Sequence, residues 1–147
     1  MGDFFLTSKL EETKQILREQ NASCVIQKPS GEVVISNDFG IKPLMIELRK
    51  DKQAFQGAVI ADRVIGKAAA LLTVLGGACE VYGEIMSQAA CEVLDANQII
   101  YEYGEKVPYI ENRTKTGKCP MEETVWEIDD VNQAFEALEA TIARLMK

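Results

Sequence analysis

From Gly57 to Tyr103 the chain alternates short β-branched runs with runs of helical period: "GAVIAD", "GKAAALLTVL", "ACEVYGEIM", "SQAACEVLDAN" and "QIIYEY". A strand cannot turn straight into a parallel neighbour, so such alternation predicts parallel strands joined by crossover helices. The first strand is predicted over 57–62. The first helix is predicted from Gly66 to about Leu75, closed by Gly76 and Gly77. Strands over 78–86 and 98–103 follow, with a helix over 87–97 between them.

The flanks extend this core. Leu6, Leu10, Thr13 and Leu17 recur at helical spacing behind a capping Asp3, which predicts a helix over 4–20. "ASCVIQ" and "EVVIS", separated by "KPSG", read as an antiparallel hairpin. "SNDFGIKPLMIELRKD" supplies a loop and a short helix in which Pro43 sits in the first turn. "GEKVPYIENRTKTGK", 104–118, is polar and locally basic and reads as a long loop. Pro120 starts a helix, and Val131, Phe135, Leu138, Ile142 and Leu145 mark the apolar stripe of the last one. The expectation is one domain over 1–147: a three-layer α/β/α sandwich with a mixed sheet of about five strands, opened by an antiparallel hairpin.

Composition removes several function classes. A formal charge of -7 disfavours a nucleic-acid polymer, whose phosphates require clustered Lys and Arg. No apolar run reaches the roughly 20 residues of a membrane span, and the start shows no targeting pattern, so cytoplasmic residence is expected. Cys24, Cys79, Cys91 and Cys119 are scattered without a CxxC pair, which argues for reduced thiols. With no histidine, His-based triads, His general bases and mixed Cys/His zinc sites are all excluded.

The order helix, hairpin, then alternating helices and strands resembles the cytidine-deaminase-like superfamily, and "VYGEIMSQAACEVL" carries the likeness at residue level. On the Pro-Cys-x-x-Cys motif of the zinc deaminases, Ser87 takes the proline's place, Gln88 the first cysteine's and Cys91 the second's. Lys67 and Ala69 of "GKAAALL" stand where the other ligand and the proton-shuttling glutamate would be. The resemblance therefore implies the fold without zinc deamination, since one thiol cannot replace three ligands. Over nearly its full length, through Gly40–Leu44, "ADRVIGKAAA" and "GKCP", the chain also resembles an uncharacterised bacterial family placed in that superfamily.

Ligands of open α/β sheets sit beyond the C-terminal ends of parallel strands, where helix N-termini favour anions. Asp62, Arg63, Gly66 and Lys67 fall in that zone, with Asp62 as the alternative cap of the helix. Arg113, Lys115 and Lys118 of "ENRTKTGK" would close over an anion, and Ser87 and Gln88 would add polar contacts. Cys119, at a helix start beside Lys118, suits a nucleophile or redox thiol. The expected function is binding of a small anionic, nucleotide-like metabolite in the former catalytic cleft, with no cofactor and no metal. A non-zinc enzyme using Cys119 or Lys67 as nucleophile and an oligomeric interaction module are the alternatives. No carboxylate dyad is indicated by the spacing of Glu84, Glu92, Glu102 and Glu111.

Overall fold

The computed structural model describes residues 2–146, and their side chains from Lys9 onward. The elements are α1 (Gly2–Glu19), β1 (Cys24–Gln27), β2 (Val33–Ser36), α2 (Lys42–Lys50), β3 (Val59–Ile65), α3 (Lys67–Gly76), β4 (Glu80–Ser87), α4 (Gln88–Ala96), β5 (Ile100–Val107), α5 (Pro120–Thr124) and α6 (Val131–Leu145). The Asp3 cap and the Leu6 position expected above lie outside the described side chains.

One mixed sheet carries all five strands in the order β2-β1-β3-β4-β5. β1 runs antiparallel to both β2 and β3, whereas β3, β4 and β5 are parallel, as the alternating pattern requires. Helices flank both faces. Leu10 and Leu17 of α1 cover Val25, Val59, Ala61 and Tyr82 on one side. On the other, α2, α3 and α4 bury Ile26, Ile60, Val81 and their own apolar stripes, and Leu138 of α6 packs into the same core. β1 is buried at every position because it is covered on both faces and paired on both edges.

Two strands run further than their sequence predicts. β3 continues through Asp62, Arg63 and Val64 to Ile65, so the charged pair lies within a strand rather than at the corner after it. Arg63 belongs there because its Nε and Nη2 donate to the Ala22 and Leu17 carbonyls at 2.9 and 3.1 Å, while Nη1 pairs with Glu84 at 2.6 Å. These contacts satisfy carbonyls at the C-terminal end of α1, where a cation also meets the negative end of the helix dipole. β5 extends to Val107, four residues into the segment read as loop, where Pro108 ends it. The remaining loop folds back as a small hairpin: Cys119 N–H donates to the Ile110 carbonyl at 2.7 Å and Asn112 N–H to that of Gly117 at 2.9 Å.

The α3 C-terminus shows how tightly the helical layer is set. Gly77 is left-handed, at φ 88°, and its N–H returns to the Thr73 and Val74 carbonyls. Beside it, Gly76 lies against the fully buried ring of Phe55, which occupies the space a Cβ would need. Gly76→Ala should therefore overpack the core and cost about 1–3 kcal/mol. Gly117→Ala, which meets open space, should stay within about 0.5 kcal/mol. Urea denaturation of the two variants distinguishes these outcomes.

Candidate functional site

The turn from β3 into α3 does hold a carboxylate, but it is the protein's own. Glu122, on α5 and 2 % exposed, accepts the Lys67 N–H on Oε1 at 2.5 Å and the Ile110 N–H on Oε2 at 2.7 Å. A free amide of the α3 N-terminus is thus satisfied from within, where an anionic ligand was expected. Gly66 is required here, since a Cβ would meet Glu122 Oε1 and Ile110 Cγ1, each at 2.8 Å. Lys67 is buried, not solvated: its Nζ donates to the Trp126 carbonyl at 2.9 Å and pairs with Asp129 at 3.0 Å. α5, through Glu122, and the segment that joins it to α6, through Trp126 and Asp129, are accordingly fastened to a single residue.

Asp62 does not cap α3. It stands directly opposite Cys24 in the β1–β3 ladder, buried, and accepts the Val64 N–H at 3.2 Å. Burial pushes its carboxyl up to about 7 despite the opposing effects of Val64, Cys24 and Arg63. Arg63 is committed to α1 and Glu84. Ser87 is the cap of α4, accepting the Ala90 N–H at 3.1 Å. Gln88 is exposed and donates to Glu92 at 3.1 Å. Cys91 is buried near Tyr101, and burial raises its thiol. Lys118 lies over the rings of Trp126 and Tyr109, 4.4 and 5.5 Å from their centroids. The expected cluster therefore divides among separate structural tasks.

What the fold does assemble is an apolar groove of about 630 Å³ between the β2–α2 corner, α2, the 108–119 loop, α5 and α6. Ile41, Met45, Met121 and Ile142 line it, and Phe39, 81 % exposed, stands at its rim. Cys119 joins it to a smaller cavity of about 60 Å³ that reaches Gly66 and Glu122. Three cations border the groove. Arg49 is engaged by Glu139, at 2.5–3.1 Å, and Lys42 makes a long 3.8 Å pair with Asp38. Arg113 is exposed and makes no ion pair or hydrogen bond among the described side chains. Of the expected residues, only Arg113 and Cys119 meet here. The groove residues from Phe39 to Met45 fall in the "FGIKPLM" segment, which on its own reads only as a loop and a helix start.

A second groove of about 530 Å³ runs between α3 and α4, bordered by Lys67, Trp126, Glu92, Asn97 and Asp129. Its cation is already paired and two carboxylates face it. Among the described residues, no three His, Cys, Asp or Glu side chains gather so as to hold a metal ion.

The family model "TM1506: Domain of unknown function (DUF1893)" matches residues 12–142. The chain belongs to the DUF1893 family. Its fold is similar to the crystal structure of a DUF1893 family protein (TM1506) from Thermotoga maritima, with a TM-score of 0.80 and 25% identity over 90% of this chain and 89% of that one. The comparison with curated proteins returned no match. Among the described residues of this DUF1893 chain, no helix is long and apolar enough to cross a membrane.

Two predictions follow from the buried carboxyls. Glu122→Ala leaves two N–H groups without their acceptor and should cost about 1–3 kcal/mol in chemical denaturation. The second concerns Asp62 together with Glu80, which is 2 % exposed and pushed up to about 7 by burial and then by Glu102. Glu102 is itself paired with Lys14, which also meets Glu11. The folded state holds both protons up to about pH 7, while an unfolded chain releases them near 3.8 and 4.5. The contribution of these two groups to stability should thus be greatest below the unfolded values and fall as pH rises toward 7, by about 1.4 kcal/mol per unit of pKa separation. Denaturation midpoints from about pH 4 to pH 8 should show this slope, and Asp62→Asn should flatten it.

Proposed function

We propose that this chain binds a small amphipathic anion in the groove beneath the 108–119 loop, with its apolar part between Ile41, Met45, Met121 and Ile142 and its charge at Arg113. The observation that carries the reading is an arginine without a partner among the described side chains, at the rim of an apolar groove of about 630 Å³. A guanidinium offers paired donors that match carboxylate or phosphate oxygens, and an apolar cleft of this size takes a ligand of metabolite dimensions. Lys42, with only a long exposed ion pair to Asp38, adds a second charge on the same rim.

The expected site at the α3 N-terminus moves accordingly, because Glu122 fills that position and the α3–α4 groove presents Glu92 and Asp129 to any anion. The strand order, and helices α3 and α4 starting directly from β3 and β4, support a deaminase-like scaffold whose zinc positions have taken structural roles. In this reading Cys119 lines the ligand's path and Lys67 supports the site from behind.

Thermal unfolding with octanoate, phenyl phosphate, acetate and inorganic phosphate tests the proposal. Octanoate or phenyl phosphate, well above its dissociation constant, should raise the Tm by roughly 5 °C or more. Acetate and inorganic phosphate should give much smaller shifts, and Arg113→Ala should reduce the response to either amphipath. No shift with either amphipath, or a shift unchanged in Arg113→Ala, overturns it.

A further inference from the structure

We propose that the free edge of β5 pairs, antiparallel and centred on Gly104, with the same edge of a second copy of this chain, joining two five-stranded sheets into one of ten. β5 is the outermost strand of the parallel part of the sheet, and all eight of its residues, Ile100 to Val107, lie before Pro108. Every residue of β5 is exposed except Tyr101 and Val107, which are half-buried. Parallel strands are ordinarily covered, and long open edges are ordinarily blunted. The opposite edge follows that rule, since β2 is only four residues long.

The charge pattern selects both the partner and the register. With two copies antiparallel about Gly104, Glu102 of each lies opposite Lys106 of the other, giving two complementary pairs on the face that also carries α1. On the opposite face Tyr101 meets Val107 of the second copy and Tyr103 meets Glu105. Tyr101 and Tyr103 already stack, with ring centroids 6.5 Å apart, and so present a continuous aromatic surface. Centring the pairing between Tyr103 and Gly104 instead would set Glu102 against Glu105, like charge on like. Centring it on Tyr103 would form no charge pair. Gly104 places no side chain at the two-fold axis, and its own backbone is held close to β4, where a Cβ would meet the Glu84 carbonyl at 2.7 Å.

Sedimentation equilibrium of the full chain and of two charge variants tests this. The natural chain should form a concentration-dependent dimer. Lys106→Glu and Glu102→Lys should each be monomeric or dimerise at least about tenfold more weakly, because each opposes like charges twice. An equimolar mixture of the two should recover a dimer, since every pair is again complementary. Glu102 also bonds Lys14, so far-UV circular dichroism checks that each variant is folded. Hydrogen exchange on the natural chain needs no variant: amides of β5 should gain protection as concentration rises, with those of β2 unchanged. A chain monomeric at all concentrations, a dimer unaffected by Lys106→Glu, or concentration-independent exchange in β5 overturns the proposal.

Discussion

Much of this structure depends on the carboxylate of Glu122 bridging the Lys67 and Ile110 amides. A buried carboxylate is costly to desolvate, and two N–H donors, one at the positive end of a helix, offset that cost. The contact joins three parts of the chain that are distant in sequence: the start of α3, the exit from β5 and the short α5. Lys67 completes the joint from the same residue by holding Trp126 and Asp129. With these parts held, the 108–119 hairpin has a defined base, and Cys119 and Met121 become walls of the apolar groove.

This joint also explains why an anion site at the α3 corner looked reasonable in sequence and is absent in structure. The local signals were sound: a strand end, a glycine and a lysine at a helix start do make a place for negative charge. The charge comes from a residue 55 positions away, and no local pattern in "PMEET" distinguishes a buried glutamate from the solvated ones around it. The alternation of strands and helices was legible because periodicity is local. Strand ends were less so: Asp62 reads as the last strand residue and Arg63 as the corner after it until the carbonyls of α1 that Arg63 satisfies, and the Cys24 opposite Asp62, are brought alongside them. Likewise β5 carries charge at Glu105 and Lys106 because it is an exposed edge strand, and those charges made its second half resemble a loop.

The two larger grooves differ in what their charges have left to do. Between α3 and α4, Lys67 is neutralised by a carbonyl and Asp129, and Glu92 adds negative charge. Under the hairpin, Arg49 is engaged by Glu139, yet Arg113 and Lys42 retain most of their capacity for an outside partner. Proximity of a cation to a cavity is therefore a poor guide by itself. The deciding feature is whether the fold has already supplied its counter-charge.

The chain's overall charge then constrains what can use that capacity. At -7, the field of the whole molecule opposes anions within about a Debye length of its surface, roughly 8 Å at physiological salt, and is screened beyond it. Two exposed cations gain little in water, where each contact replaces hydration of similar strength. Binding must draw on another source of free energy, and the groove provides one in Ile41, Met45, Met121 and Ile142. Removing apolar surface from water contributes about 25 cal/mol per Å², so even a short chain or a single ring adds more than the ion pair does. Arg113 in this arrangement orients the ligand and selects its charge, while the apolar walls supply the larger part of the affinity.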